Sequence, residues 1–167
     1  VWKKAVEDTV GLNEFFQQNK DNYTWDDRVE ATIYTCNNIN TTLKVRAHIF
    51  KNKLGLELKN DDLLSSANEN NPLSLKIETK KYLKGDNKFI DELKWVKGTS
   101  PNIKQSDNSI VIIDIHNVLP KTYKTLEETK GKVISDYQSE LESAWINILR
   151  NKYSVNVNKE VLYSIIK

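Results

Sequence analysis

The stretch that most constrains the fold is Arg28–Cys36, which has the pattern of a β-strand. β-Branched and aromatic residues fill most of it, and no glycine or proline interrupts it. Successive side chains of a strand point to opposite faces. One face would carry Val29, Ala31, Ile33 and Thr35, and the other Glu30, Thr32, Tyr34 and Cys36. The chain must therefore build a sheet around this segment.

Two further segments predict strands of the same sheet. Leu73, Leu75 and Ile77 alternate with polar residues, and residues 110–118 form the most strand-like run of the chain. Residues 80–87 between them read as a basic loop, whose lysines can contact acidic partners but more often only face solvent.

Helical patterns surround these strands. Leu43, Ala47, Phe50 and Leu54 recur at helical spacing, which predicts an inward apolar stripe. Val45 and Ile49 widen this stripe, and His48 lies on the polar, solvated side. Asn60 or Asp61 can cap a short helix that follows.

The two ends of the chain also read as helix. Thr125 and Glu128 form a capping box for a helix that runs to about Asn151, longer than a small sheet domain needs. Residues 1–23 read as two helices rich in aromatic residues, which we expect to pack on that long helix. The sequence therefore predicts an α+β fold: a small, mainly antiparallel sheet with helices packed on it, flanked by N-terminal helices and a long C-terminal helix.

Composition excludes several classes of function. A net charge of +2 without a basic stripe argues against a nucleic-acid partner. One cysteine and two histidines exclude an internal disulfide and favour neither a metal site nor a cofactor. No apolar run approaches the ~20 residues that span a bilayer. Because the chain begins at Val1 and lacks methionine, we expect a processed product or a cut piece, with any signal peptide upstream.

The middle of the chain, about Arg28–Pro120, resembles a parvulin, the small FKBP-like peptidyl-prolyl isomerase domain. Three pieces carry the resemblance: the strand after Arg28 with the helix that follows it, the run from Phe89 to the Gly98-Thr99-Ser100 turn, and the strand from Asp107 to Pro120.

The flanks resemble those of periplasmic foldases. Residues 11–23 resemble the helices that precede parvulin domains in SurA-like, PpiC-type chaperones, and residues 124–145 resemble their C-terminal helix. The resemblance implies a helical segment over 1–27, a parvulin-like domain over 28–120, and a long helix with a tail over 121–167. It also implies a periplasmic location, unfolded or outer-membrane polypeptides as clients, and upstream domains of the same chain as partners.

This chain departs from the family at the catalytic positions. Active parvulins carry two histidines, where this sequence has Thr32 and Val111, and a methionine in the proline pocket, which this chain lacks. Only Lys84-Gly85-Asp86 is similar to the glycine-rich segment of active parvulins. We therefore predict no catalytic residue and a vestigial cleft, which would contain Thr32, Tyr34, Cys36, Trp95 and Val111.

Other side chains have a structural and a functional interpretation. The aromatic residues of the flanking helices would form their core, and part of the same surface would bind unfolded chains. These binding candidates are Phe15, Phe16, Tyr23, Trp25, Tyr137 and Trp145. Asp114 is expected to face solvent, and His116 to be a surface or hydrogen-bonded residue at a strand end.

Three hypotheses follow. The first is a folding-chaperone module without catalysis in this domain. The second is an active isomerase with a rearranged proline pocket that uses Cys36, Tyr34 or His116. The third is an interaction domain whose sheet docks an upstream domain.

Overall fold

The computed structural model describes residues 2–154 and 156–165, so Val1, Val155, Ile166 and Lys167 lie outside the description. The helices are α1 (Trp2–Glu7), α2 (Thr9–Gln18), α3 (Ile39–Lys53), α4 (Asn60–Asn68), α5 (Lys88–Glu92), α6 (Leu126–Lys152) and α7 (Lys159–Ile165). The strands are β1 (Thr24–Trp25), β2 (Arg28–Cys36), β3 (Leu75–Leu83), β4 (Gly98–Thr99), β5 (Ile103–Lys104), β6 (Ile110–Leu119) and β7 (Thr122–Tyr123). The predicted α+β architecture, with a small antiparallel sheet and a long C-terminal helix, is confirmed.

The chain forms two compact units. Residues 25–122 form the first, which we call the sheet unit, and residues 2–24 with the described residues from 123 onward form the second, the helical unit. The two-residue strands β1 and β7 lie where the chain passes from one unit to the other.

The sheet unit is organised around β2, as the sequence predicts. The strand order is β3-β2-β6-β4, with β5 also paired to β6, and every pairing is antiparallel. A bulge between Glu30 and Ala31 shifts the register of β2 against β6. β2 lies in the interior of the sheet, and most of its residues are buried, on both faces.

Each face of the sheet carries its own apolar cluster. On one face, Val29, Ala31 and Ile33 of β2 pack with Val111 of β6 and Ile90 of α5. On the other face, α3 and α4 cover β2 and β6. That cluster comprises Tyr34, Cys36, Val45, Ile49, Leu63, Leu75, Ile110 and Ile112.

Two predictions about the sheet unit are wrong. The strand β3 continues through the predicted basic loop to Leu83, because Lys80 and Lys81 pair with Ala31 and Glu30 of β2. The buried face of α3 is also only partly the predicted one: Val45 and Ile49 are buried as expected, but Leu43, Phe50 and Leu54 are exposed and His48 is buried. Contact with the sheet selects the edge of the wide apolar stripe that lies next to His48.

The helical unit has a core of its own. Residues from α1, α2 and α6, and Tyr23 before β1, contribute to it: Ala5, Leu12, Phe15, Phe16, Tyr23, Val133 and Tyr137. The rings of Phe15 and Tyr137 lie 5.3 Å apart, and the Tyr137 hydroxyl donates to Asp8, which also caps α2. The capping box of Thr125 and Glu128 at the start of α6 is present as predicted. Within the described part of the chain, no helix has the length and apolar character to cross a membrane.

Candidate functional site

The sheet unit contains a cavity of about 560 Å³ on the face that α3 and α4 cover. We call it the Thr32 cleft. Its floor is formed by Thr32 and Tyr34 of β2 and by Asp114 and His116 of β6. These four residues share a face because β2 and β6 pair with Thr32 opposite Asp114. Residues at the end of α3 and the start of α4 form its wall.

Thr32, where the sequence resemblance expects a catalytic histidine, is buried and lies in a row of hydrogen bonds. Its Oγ1 lies 2.7 Å from Oγ1 of Thr79 and 2.7 Å from Nε2 of His116. The Thr32 side chain is only 1% exposed, so both contacts hold the hydroxyl in place. His116 is thus part of the cleft, and the prediction that it makes hydrogen bonds is confirmed.

Asp114 does not face solvent, so that prediction is wrong. Asp114 is only 9% exposed, and its Oδ1 accepts a hydrogen bond of 2.5 Å from the Thr99 hydroxyl. Nζ of Lys53 lies 3.5 Å from the same oxygen, and Nδ1 of His116 lies 3.7 Å from Oδ2. A buried carboxylate is costly unless it is paired and hydrogen-bonded, and these groups meet that requirement.

A second polar row lines the wall of the cleft. The Tyr34 hydroxyl donates to Oδ1 of Asn60 at 3.3 Å, and Nε2 of His48 lies 3.1 Å from the same oxygen. Burial, together with the negative charge of Asp114, raises the pKa of Tyr34 to about 12. Asn52 Nδ2 completes the row at 3.1 Å from Nε2 of His48. The prediction of a solvated His48 is therefore wrong, since this network holds the ring in a buried position.

Of the five residues predicted for the vestigial cleft, the structure brings two together. Thr32 and Tyr34 line the cavity, whereas Cys36 lies on the same face but is packed under α3 and does not line it. Burial raises the pKa of the Cys36 thiol, which favours the unreactive protonated form. Val111 lies on the opposite face, in the cluster with Ile90.

Trp95 belongs to a separate cavity of about 620 Å³ in the sheet unit. Leu83 and Leu93 contribute apolar surface to that cavity, and Lys84 and Asp27 contribute charge. The indole Nε1 of Trp95 donates to the carbonyl oxygen of Ile90 at 3.1 Å, and this hydrogen bond fixes Trp95 to α5.

Reasoning from the sequence missed Asp114, Lys53 and Thr79 as cleft residues. The alternation of side chains along a strand places Asp114 on the same face as His116, so the sequence contains a signal for Asp114 as a cleft residue. Lys53 and Thr79 reach the cleft from a helix end and from the neighbouring strand, and only strand pairing and helix packing reveal them.

Most of the predicted polypeptide-binding aromatics are core residues. Phe15, Phe16, Tyr23 and Tyr137 are buried in the helical unit, each at most 9% exposed. Burial, and a hydrogen bond to Asp136, raise the pKa of Tyr23 to about 12. Trp145 is different, because 51% of it is exposed.

Trp25 belongs to the sheet unit, where it is half-buried and the guanidinium carbon of Arg28 lies 4.5 Å from the centre of its ring. Among the described residues, no group of three or more histidine, cysteine, aspartate or glutamate side chains could hold a metal ion.

The Thr32 cleft combines polar groups with apolar surface from Ile49, Leu58 and Ile115. Its polar groups are an aspartate, two lysines, a histidine, amides and hydroxyl groups, which can hydrogen-bond a peptide carbonyl or amide. Among the described residues that line the cleft, His116 is the one histidine, and His48 lies behind the wall against Asn60 and Asn52.

Comparison with known proteins gives one finding among solved structures. No protein-family model matches the chain, and no curated protein matches it. The chain is similar to a solved structure from the human pathogen Campylobacter jejuni, where the virulence factor PEB4 and the periplasmic protein Cj1289 are described as two structurally related SurA-like chaperones. The alignment covers 94% of this chain and 68% of the other, with 19% identity and a TM-score of 0.32.

Proposed function

We propose that this chain is a periplasmic folding-chaperone module that binds unfolded or outer-membrane polypeptides and does not catalyse proline isomerisation. The sequence resemblance to parvulin-type foldases motivates the proposal, because it extends over the sheet unit and both flanks. The observation that carries it is the exposed apolar surface on the second half of α6.

That surface lies beyond the packed part of the helix. Val133 and Tyr137 of α6 are buried against α1 and α2, whereas Trp145 and Ile148 are 51% and 63% exposed. Residues three apart on a helix are neighbours, so these two side chains form one apolar patch. Apolar patches on a protein surface commonly mark binding sites for other polypeptides.

The helix α3 of the sheet unit offers a second apolar surface. Leu43, Phe50 and Leu54 are each at least 60% exposed and follow one another along the helix. Their spacing of seven and four residues keeps them on one stripe. Since α3 buries its other face, this stripe is free to contact an unfolded chain.

The first test is suppression of client aggregation. Trp145→Glu combined with Ile148→Glu should weaken client binding by about tenfold or more, because burial of each large apolar side chain is worth roughly 1.5–3 kcal/mol. Light scattering of a chemically unfolded client, at increasing ratios of this protein, measures the effect.

The matched control is Asn147→Glu, which adds a carboxylate at an exposed position between the two residues. It should suppress aggregation as the unmodified protein does. If the double variant suppresses aggregation equally well, the α6 patch is not the client surface.

The second test concerns catalysis. Isomerisation requires a site that favours a twisted amide and lowers a barrier of ~18–20 kcal/mol. The Thr32 cleft places the charges of Asp114 and Lys53 among its apolar residues, and His116 is the one imidazole among its described lining residues, so we expect no acceleration of cis/trans exchange in a proline peptide.

The competing proposal is an isomerase with a rearranged pocket. The contact between His116 and Thr32 favours it, because it places an imidazole beside the family's catalytic position. Clear acceleration that Thr32→Ala or His116→Ala abolishes would establish this alternative.

A further inference from the structure

The strand β3 forms one edge of the sheet. Within the described residues its only strand partner is β2. Residues of a strand direct their backbone N–H and C=O groups alternately to the two sides. Ser74 accepts a hydrogen bond from Asn37 at the end of β2, so the even-numbered residues of β3 face β2 and the odd-numbered ones face outward.

Hydrogen bonds from nearby residues already engage the outward-facing backbone groups at both ends of β3. Asn68 accepts from the N–H of Leu75 at 2.8 Å and donates to its carbonyl oxygen at 3.0 Å. At the other end, Leu83 N–H donates to Asp86 at 2.8 Å, and its carbonyl accepts from the backbone of Asp86. These contacts independently confirm which residues face outward.

Between these two caps lie three outward-facing residues, Ile77, Thr79 and Lys81. Within the described part of the chain, no hydrogen bond engages their backbone groups. At ~3.3 Å per residue this open edge is about 13 Å long. It can therefore receive a short extended segment through N–H and C=O groups that no described residue engages.

The side chains along this edge are predominantly basic. Residues 75–84 contain four lysines and one glutamate. Glu78 is shared by Lys80 at 3.0 Å and Lys76 at 3.7 Å, which leaves an excess of positive charge along the strand. Two copies of such an edge repel each other, whereas an acidic segment is attracted.

We propose that the outer edge of β3, over residues 77–81, binds an extended acidic polypeptide segment as an additional strand. The inference deepens the proposed function, on which it rests, by naming the class of client segment that the sheet unit accepts. Side chains on one face of the added strand lie beside Lys76 and Lys80, where carboxylates are favoured. Those on the other face lie beside Thr79, which also lines the Thr32 cleft.

The test compares Lys81→Pro with Lys81→Thr in the full chain. Both substitutions remove the positive charge of Lys81, but only proline also removes its backbone N–H. Because that N–H faces away from β2, its loss leaves the hydrogen bonds between β3 and β2 intact. The probe is a fluorescein-labelled peptide in which glutamate alternates with threonine, and fluorescence anisotropy measures its affinity. We expect Lys81→Pro to bind about tenfold more weakly than Lys81→Thr, which itself loses about threefold or less.

The peptide provides a test that does not depend on the folding of a variant. Two peptides are methylated on alternate backbone nitrogens, one on the odd and one on the even residues, and only the set that faces β3 should abolish binding. A peptide in which lysine replaces every glutamate should not bind. Equal affinity of the proline and threonine variants, or of the methylated and unmethylated peptides, would overturn the inference. Dimerisation of the unmodified protein in sedimentation, lost in Lys81→Pro, would also overturn it in favour of a second copy as the occupant.

The aggregation assay separates this inference from the chaperone proposal. If client aggregation is suppressed but the acidic peptide does not bind, the edge inference fails and the chaperone proposal stands. If the peptide binds but no client is protected, the chaperone proposal fails and the open edge is a peptide site of another kind.

Discussion

The hydroxyl of Tyr82 is buried in the sheet unit without a hydrogen-bond partner among the described residues. The residue is 0% exposed and belongs to the cluster formed with Val29 and Ile90. Burial, followed by the negative charges of Glu78 and Asp86, raises the pKa of Tyr82 from 10.0 to about 12. A buried polar group without a partner opposes folding, so this atom works against the stability of the unit.

Replacement of Tyr82 by phenylalanine should therefore raise the free energy of unfolding at neutral pH, by about 1 kcal/mol. The difference should grow above pH 10, since the stability that depends on a neutral Tyr82 is complete below pH 10 and is lost as the pH rises toward 12. Urea unfolding at several pH values measures both effects. The control is Tyr163→Phe at a position that is 67% exposed, and a loss of stability in Tyr82→Phe would show that the hydroxyl has a partner.

Gly11 shows how one residue can serve tertiary packing at the expense of its own helix. Glycine weakens a helix interior by about 1 kcal/mol relative to alanine. A Cβ at this position would collide with the Tyr137 hydroxyl and the Asp8 carboxylate. The close approach of α2 and α6 thus explains a residue that helix propensity alone disfavours.

At the scale of elements, local signals located the helices and strands better than they located the faces. The capping box of Thr125 and Glu128 predicted the start of α6, and β2 has the bounds that its pattern indicated. For α3 the predicted inward stripe was too wide, because Leu43 and Phe50 are as apolar as Val45 and Ile49 but remain exposed. Burial of Val45 and Ile49 against β2 and β6, and the hydrogen bonds of His48, decide the orientation.

The whole molecule is built from two units with separate cores. The two clusters of the sheet unit lie within residues 25–122, and the helical cluster joins residues from both ends of the chain. Because the sheet unit buries its own apolar residues, we propose that it is an independent folding domain.

Expression of residues 25–122 alone tests this proposal. The fragment should unfold in one cooperative transition and keep its affinity for the acidic peptide, because the open edge of β3 lies within it. It should lose most of the suppression of aggregation, since the Trp145 patch is absent. Calorimetry and circular dichroism measure the folding, and a fragment without a cooperative transition would contradict the proposal.

The sequence by itself determined the bounds of β2 and the start of α6. These properties depend on neighbouring residues: period, capping and residue type act within a few positions along the chain. Only the tertiary structure decided which residues share a site. It separated Thr32 from Val111 and Trp95, buried Asp114 and His48, and left the edge of β3 open between two side-chain caps. The physical reason is that burial and hydrogen-bond partners are set by strand pairing and helix packing, which join residues far apart in the chain.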